Sequence, residues 1–239
     1  MRFVCLDFET NGFFDEAVYV LPWTSYPIQV SLTAVENGVV TPLYDSLIRG
    51  ARSFATWVNE NVPIDISDLD DAPTLRNVIA ELASKLKPDD FIVAHNARFD
   101  MEQCLRRTAE FEGIKSPELD SIMNLPRFCT QNCEYVKSVL SKGERRLEHL
   151  CKHFGVEFSP SSAHDATYDT LKLAECVAEA LYRGVMLPNE AQSVRILPPT
   201  ERRLQRLRFK KPGRTIENNF SEGLESKAQI IDRDERKEE

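Results

Sequence analysis

Residues 7–12 read Asp-Phe-Glu-Thr-Asn-Gly and follow an apolar run at residues 3–6, close to the start of the chain. The apolar run predicts a strand that lies in the centre of a sheet. Because alternate residues of a strand share a face, Asp7 and Glu9 are expected to point the same way at its end. Two adjacent carboxylates repel each other unless a cation lies between them. From this stretch alone, a solvated strand end with two unrelated acids remains the alternative.

Length and composition indicate one globular domain with an appendage. A chain of 239 residues accommodates a domain of about 180 to 200 residues and a further segment. Hydrophobic residues make up 42% and charged residues 28%, as is usual for soluble globular proteins. A net charge of -8 argues against a protein that coats nucleic acid indiscriminately, because such domains are usually basic. It does not exclude a nuclease, since bound cations neutralise the acids that hold them.

Cysteine usage and hydropathy bear on the compartment. Six cysteines are scattered along the chain, several of them inside apolar runs, which favours a reducing compartment over a disulfide framework. The N-terminus has no apolar core of signal-peptide length, and no apolar run approaches the roughly 20 residues that span a bilayer. We therefore expect an intracellular, soluble, cytoplasmic protein.

The next two strands are predicted to pair as a hairpin. Residues 28–35 alternate in polarity, residues 39–48 supply a returning strand, and Asn37-Gly38 between them is a strong type I′ turn signal. With the first strand they predict a three-stranded meander. Residues 13–27, which precede the hairpin, are rich in aromatic side chains and are expected to form a packed loop rather than a platform for stacked bases.

Helices and strands alternate in the rest of the domain. Apolar residues recur at helical spacing over residues 75–86, and residues 91–94 form a wholly apolar run typical of a buried parallel strand. The remaining pattern predicts helices near residues 54–61, 97–113, 144–154 and 165–183, and a last short strand over residues 119–123. This order predicts an α/β protein with a mixed five-stranded sheet flanked by helices.

Two further acids stand where a carboxylate needs an explanation. Asp100 is expected in the first turn of the helix that follows the strand at residues 91–94, beside the end of the sheet. Asp169 lies inside the last long helix, five residues after His164. Four carboxylates from separate segments could converge on hard divalent cations, which prefer oxygen ligands. Two such ions about 4 Å apart form a two-metal site for phosphoryl transfer.

Three segments of the chain resemble the three motifs of the DEDDh 3′–5′ exonucleases, the DnaQ-like group that includes proofreading subunits and RNase T. They are residues 7–12, His-Asn-Ala-Arg-Phe-Asp at residues 95–100 and His-Asp-Ala-Thr-Tyr-Asp at residues 164–169. Residues 146–156 also resemble the segment before the last motif, so the match covers about residues 1–183 in the family's order. The resemblance implies an RNase H-like fold and a metal-dependent enzyme that releases nucleoside 5′-monophosphates from DNA or RNA.

The resemblance also implies a division of labour among the catalytic residues. Asp7 would contact both of two divalent cations, Mg²⁺ or the substitute Mn²⁺. Glu9 and Asp169 would hold the ion that binds the attacking water, and Asp100 would help to hold the ion beside the leaving 3′ oxygen. His164 would be the general base, because an imidazole near its ordinary pKa accepts a proton at neutral pH.

Substrate contacts are predicted beside the first two motifs. Thr10 and Gly12 match family positions at which the backbone approaches the terminal nucleotide. Phe13 or Phe14 could stack on its base. Asn96 belongs to the second motif and is predicted to contact the substrate. The partner is thus expected to be a single-stranded or otherwise 3′-ended nucleic acid.

Each motif residue taken singly has a structural explanation. His164 alone could be a polar residue at a helix start, and Asp169 alone a solvated helix acid, but their joint spacing favours catalysis. His95 is expected to have a hydrogen-bonding role rather than a catalytic one. The alternative function is a catalytically silent RNase H-like module that only binds nucleic acid. All five residues of the catalytic type are present, which argues against it.

A zinc-stabilised binding module is a hypothesis of another class. Its candidate ligands are Cys129, Cys133, His149, Cys151 and His153. The spacing between the first two cysteines is loose for a zinc site, and Cys151 falls where the resembled family has a buried residue.

The chain changes character after residue 187. We expect a domain at residues 1–187 and, over residues 188–239, a proline-punctuated basic segment followed by a polar, flexible tail. Seven Arg and Lys residues crowd residues 202–214 with one opposing acid nearby. This basic segment is a candidate contact for phosphates, for a protein partner or for a second copy of the chain.

Overall fold

Five strands form one mixed sheet: β1 (Arg2–Thr10), β2 (Pro27–Glu36), β3 (Val39–Leu47), β4 (Asp90–Ala94) and β5 (Arg127–Cys129). The order across the sheet is β3-β2-β1-β4-β5. Antiparallel pairing joins β3 to β2 and β2 to β1, whereas β1–β4 and β4–β5 are parallel. The predicted meander and the predicted mixed five-stranded sheet are therefore both confirmed.

The computed structural model describes residues 1–12 and 25–186. Several sequence-based predictions lie outside these residues. They are the stacking role of Phe13 or Phe14, most of the aromatic loop, and the basic segment and tail after residue 187. Tyr26, at the end of that loop, is buried in the core.

All five predicted helices are present, and two further helices that were not predicted lie between the third and the fourth of them. The helices are α1 (Thr56–Asn61), α2 (Leu75–Lys85), a wider π-type helix (Arg98–Arg107) that continues into α3 (Thr108–Phe111), α4 (Pro117–Met123), α5 (Glu134–Val139), α6 (Leu147–Phe154) and α7 (Ala166–Arg183). Short 3₁₀ turns occupy Ile66–Leu69, Lys142–Glu144 and Pro160–Ser162. Within the described ranges, no helix combines the length and the apolar character that crossing a membrane requires.

Two predicted elements differ from the structure. The last strand, expected over residues 119–123, is wrong: these residues belong to α4, and the last strand is β5. Ser116 caps the helix by accepting a hydrogen bond from the N–H of Leu119, and Leu119 and Ile122 are buried at helical spacing. The helix expected from Glu144 begins instead at Leu147, because residues 142–144 form a separate 3₁₀ turn.

The central strand β1 separates two apolar layers. Val4, Leu6 and Phe8 pack into the layer that contains α2, α4 and the π-type helix. Phe3 and Cys5 pack into the layer formed with α6 and α7. Because side chains alternate along a strand, the odd-numbered residues of β1 face α7. The sheet thus directs the acids at positions 7 and 9 towards the helix that carries the last motif.

Candidate active site

A cleft of about 230 Å³ lies at the C-terminal end of β1. Residues of the first and third motifs line it: Asp7, Glu9, Thr10, Gly12, His164 and Asp169. Strand ends of this kind, beside the N-terminus of a helix, are frequent ligand sites in α/β proteins. The fold therefore brings together segments that are more than 150 residues apart in the sequence.

Asp7 and Glu9 point to the same side of the sheet, as the strand period predicts. Their partners on β2 are Ser31 for Asp7 and Gln29 for Glu9, and the hydroxyl of Ser31 lies 2.9 Å from that of Thr170 on α7. The regular pairing of β1 and β2 shifts register directly after Glu9. The two carboxylates therefore lie at the last regular positions of the strand pair, on the α7 side.

Asp100 reaches the site from the other layer. It lies in the first turn of the π-type helix and is almost completely buried. Its Oδ1 accepts a hydrogen bond of 3.2 Å from the backbone N–H of Phe8, between the two carboxylates of β1. After burial, the charge of Asp100 is the largest cause of the raised pKa of Asp7.

His164 and Asp169 are held at the start of α7. The backbone N–H of His164 donates a hydrogen bond of 3.2 Å to Oδ2 of Asp169. The φ angle of His164 is +64°, in the left-handed region that few non-glycine residues adopt. Ligand atoms of Glu9, His164 and Asp169 all lie within 4.8 Å of one another. These three side chains converge on one point of the cleft.

The four carboxylates share an unfavourable electrostatic environment. Burial raises the pKa of Asp100 and of Asp169 to about 7. Burial, and then the charge of the neighbouring acids, raises the pKa of Asp7 and of Glu9 well above the ordinary values. Oδ1 of Asp169 is buried without a hydrogen-bond partner among the described residues. Closely spaced, mutually repelling carboxylates with a vacant acceptor fit hard divalent cations.

Aromatic side chains also border the cleft. Trp57 on α1 and Phe99 on the π-type helix line it. The Trp57 ring meets the imidazole of His164 edge to face, with centroids 4.8 Å apart and an interplanar angle of 81°. Sequence reasoning missed Trp57, because a single tryptophan in a short helix gives no signal of function. It also missed Asp165, whose charge contributes to the raised pKa of Asp169.

Only some of the predicted substrate residues line the cleft. Thr10 and Gly12 line the cleft, and the Thr10 hydroxyl donates a hydrogen bond of 2.7 Å to the carbonyl of Gly12. Ser25 donates to the same carbonyl at 2.9 Å. Asn96 is exposed in the turn before the π-type helix, where its carbonyl accepts the N–H of Phe99 at 2.7 Å. The substrate roles of these residues stay predictions.

His95 has the structural role expected of it. Its Nε2 lies 3.1 Å from the carbonyl of Arg145, and its Nδ1 lies 2.9 Å from the hydroxyl of Thr130. A carbonyl only accepts, so Nε2 carries the proton and Nδ1 accepts from Thr130. Burial lowers the pKa of His95 to about 4. The ring is therefore neutral at pH 7 and joins β4 to the segment before α6.

The zinc hypothesis is wrong for the described part of the chain. Nε2 of His153 is 2.9 Å from the hydroxyl of Tyr135, and the thiol of Cys133 donates to the carbonyl of Thr130. Cys151 is buried in the core. Across residues 1–12 and 25–186, the one group of three metal-ligating side chains is that in the cleft.

Comparisons with known proteins identify a family and two curated relatives. The family model described as Exonuclease, of the RNase T type, matches residues 4–177. The DNA polymerase III PolC-type proteins of Bacillus subtilis and Oceanobacillus iheyensis are 28% and 26% identical over 195 and 170 residues. These matches cover 79% and 70% of the chain. The chain spans only 12% and 10% of the length of these relatives.

Solved structures share the fold. A 3′-exonuclease that recognises the histone mRNA stem-loop has a TM-score of 0.63 at 13% identity, covering 78% of this chain and 84% of its own. E. coli exonuclease I with a dA16 oligonucleotide has a TM-score of 0.58 at 17% identity, covering 76% and 41%. Exonuclease X with 5′-overhanging duplex DNA has a TM-score of 0.52 at 18% identity, covering 79% and 96%.

The family match covers most of the chain and includes all three motifs that meet in the cleft. The mixed sheet and its flanking helices are those of the RNase H-like exonuclease fold. The chain therefore belongs to the RNase T-type exonuclease family, which is DnaQ-like.

Proposed function

We propose that the chain hydrolyses the terminal phosphodiester bond at the 3′ end of DNA or RNA by a two-metal mechanism and releases nucleoside 5′-monophosphates. The observation that carries this proposal is the convergence of the half-buried Asp7, Glu9 and Asp169 and of His164 on one cleft, with the buried Asp100 directly beside them. The carboxylates come from three separate segments, in the order in which the family's motifs occur.

Asp7, Glu9, Asp100 and Asp169 would hold two divalent cations, with Asp7 in contact with both. Mg²⁺ suits an all-oxygen set of ligands, and Mn²⁺ is expected to substitute. When bound, such ions polarise the phosphoryl oxygens, lower the pKa of water and neutralise developing charge. The raised pKa values of the four acids support this assignment, because neighbouring cations would relieve the repulsion that raises them.

His164 would take the proton from the attacking water. Burial lowers the pKa of His164, so the imidazole is neutral and able to accept a proton at pH 7. The edge contact with Trp57 and the left-handed backbone hold the ring beside Glu9 and Asp169. A positioned base of this kind typically contributes a factor of about 10² to 10⁴ to the rate.

The cleft would receive the terminal nucleotide of a 3′-ended strand. Trp57 and Phe99 offer aromatic surfaces for its base, and the backbone at Thr10 and Gly12 would approach the sugar and phosphate. The fold neighbours bound to an mRNA stem-loop, to an oligodeoxynucleotide and to duplex DNA support a nucleic-acid substrate of this kind. Three further expectations are part of the proposal. The exonuclease domain would end near residue 187, and residues 202–214 would bind phosphates, a protein partner or a second copy of the chain. The protein would be cytoplasmic, a location that suits six free thiols.

Hydrolysis of 5′-labelled oligonucleotides tests the proposal. DNA and RNA of equal sequence, single- and double-stranded, would be incubated with Mg²⁺, with Mn²⁺ or with a chelator. Cation-dependent shortening from the 3′ end with release of nucleoside 5′-monophosphates is expected, and Asp7→Ala should lower the rate by orders of magnitude. Asp120→Ala, which removes an exposed carboxylate of α4, is the matched control.

Two outcomes would contradict the proposal. Undiminished cleavage by Asp7→Ala would show that the activity comes from elsewhere. Tight binding of a 3′-ended strand by the wild type, without cleavage under either cation, would instead favour the alternative of a silent nucleic-acid-binding module.

A further inference from the structure

We infer that Gln29 is a positioning residue of the proposed nuclease site, which holds the start of α7 against β2 and so sets Asp169 and His164 relative to Glu9. The inference rests on the proposed function, because it concerns how the same site is assembled. Gln29 belongs to none of the three motifs, and it lies more than 130 residues from the helix that it contacts.

The position of Gln29 follows from the pairing of the two strands. Gln29 on β2 is the cross-strand partner of Glu9 on β1 in an antiparallel pair. Side chains of such partners project from the same face and lie about 5 Å apart at their Cβ atoms. Gln29 therefore shares the α7 side of the sheet with Glu9, and it is buried there.

The carboxamide of Gln29 makes hydrogen bonds with both of its polar atoms. Its Oε1 accepts the backbone N–H of Ala166, the first residue of α7, at 3.1 Å. Its Nε2 donates to Oδ1 of Asp165 at 3.0 Å and to Oδ1 of Asp45 at 3.2 Å. Asp165 in turn caps α7 by accepting the N–H of Thr167 at 2.9 Å. One side chain thus binds the cap and the first backbone amide of the helix.

The helix start is the segment that carries the reactive groups. Asp165 follows His164 directly, and the N–H of Asp169 donates to the carbonyl of Asp165 at 2.8 Å. A displacement of Asp165 would therefore move both neighbours with respect to β1. Supporting hydrogen bonds around metal ligands typically affect metal affinity or activity by about 10- to 100-fold.

Two other residues of β2 contact α7 and provide a comparison. Ser31 lies 2.9 Å and Thr33 lies 3.2 Å from the hydroxyl of Thr170, measured between oxygens. Thr33 pairs with Cys5, an apolar position of β1. Thr33 is four residues from Gln29, a distance of about 13 Å along a strand. Thr33→Val thus loosens the same interface on the same face, away from the carboxylates.

The chemistry of the amide explains why glutamine suits this position. Two carboxylates, those of Asp45 and Asp165, face Nε2 and accept from it, while the N–H of Ala166 donates to Oε1. Methionine has a similar shape but makes neither bond, and glutamate would add a third carboxylate without a donor. Gln29→Met therefore removes all three hydrogen bonds, whereas Gln29→Glu keeps the bond from Ala166 and replaces the two donated bonds by repulsion between carboxylates.

The test compares three variants of the full chain, Gln29→Met, Gln29→Glu and Thr33→Val. Mn²⁺ affinity would be measured by calorimetry, the melting temperature by circular dichroism, and kcat and KM on a single-stranded oligonucleotide. For both Gln29 variants we expect Mn²⁺ affinity and kcat to fall about 10- to 100-fold, with KM within about twofold. Thr33→Val should lower the melting temperature by a few degrees but leave kcat and Mn²⁺ affinity unchanged.

The inference is overturned if folded Gln29→Met keeps wild-type Mn²⁺ affinity and kcat, or if Thr33→Val loses as much of both. Failure of the proposed function is distinguishable from this result. A wild type that cleaves no nucleic acid would refute the nuclease proposal, whereas the Mn²⁺ affinities of the same variants would still test the role of Gln29.

Discussion

The backbone N–H of His164 donates a hydrogen bond to Oδ2 of Asp169 across 3.2 Å, while φ of His164 is +64°. The bond joins the proposed general base to a proposed metal ligand through the main chain. It leaves the imidazole free to point into the cleft beside Glu9. The backbone of His164 therefore positions Asp169, whereas its side chain is the proposed base. Substitutions of His164 can separate these two roles.

His164→Asn should remove catalysis and leave the fold intact. Asparagine tolerates the left-handed conformation better than most residues but cannot act as a base at neutral pH. We expect kcat to fall by about 10² to 10⁴-fold, with melting temperature and Mn²⁺ affinity close to wild type. His164→Ala should show the same kinetic loss and a lower melting temperature, because alanine at this φ costs about 1 kcal/mol. Near-normal kcat in the asparagine variant would exclude His164 as the base.

Asp100→Asn should stabilise the metal-free protein at neutral pH. Burial raises the pKa of Asp100 from its ordinary 3.8 to about 7, so the folded state binds the proton more tightly than the unfolded state does. Stability from this group is therefore present at low pH and is lost as pH rises from about 4 to about 7. In a chelator, urea unfolding at pH 8 should show a more stable variant than wild type. Asparagine still accepts the N–H of Phe8, so a destabilised variant would contradict the argument.

Divalent cations should stabilise the protein more at pH 8 than at pH 5. Protons and cations compete for the carboxylates whose pKa values are raised, and protons win at the lower pH. The melting temperature with excess Mn²⁺, minus that in chelator, should grow between the two pH values. In Asp7→Ala the difference should be small at both. An equal Mn²⁺ effect at pH 5 and pH 8 would indicate binding outside the cleft.

Trp57→Ala should weaken substrate binding more than it slows the chemical step. Stacking of a base on an aromatic ring contributes about 1–3 kcal/mol, which corresponds to roughly a 5- to 160-fold rise in KM. Trp57→Phe should recover most of this loss in steady-state kinetics on a single-stranded substrate. Tyr182→Ala is the control, because this exposed residue of α7 lies 13 positions beyond Asp169, about 20 Å along the helix. An unchanged KM in Trp57→Ala would exclude the stacking role.

His95→Gln should change the acid stability of the protein without changing its cleavage rate by more than about twofold. Burial lowers the pKa of His95 from 6.5 to about 4, so the unfolded state binds this proton more readily. Stability is thus fully present above pH 6.5 and is lost as pH falls towards 4. In urea unfolding between pH 7 and pH 5, the glutamine variant should not show the loss of stability that His95 causes. A large loss of kcat in the folded variant would show that His95 has a further role.

Features with a local cause could be predicted from the sequence. The pairing of β2 and β3 follows from alternation and from Asn37-Gly38, whose φ angles of 52° and 77° are those of a type I′ turn. The shared face of Asp7 and Glu9 follows from the period of a strand. Residues 119–123 were mistaken for a strand, because Leu119 and Ile122 alone do not distinguish a short helix from a short strand. The cap at Ser116 decides in favour of the helix.

The sequence by itself determined the family, the five candidate catalytic residues, the first four strands and five of the helices, because motif spacing and hydrophobic period are local properties. Only the tertiary structure decided which side chains surround those residues. The hydrogen bonds from Gln29 to Asp165 and Ala166, and the ring contact of Trp57 with His164, join residues more than 100 positions apart. The raised pKa values likewise depend on burial and on charges from separate segments. Burial and long-range contact arise from packing, which no local pattern encodes.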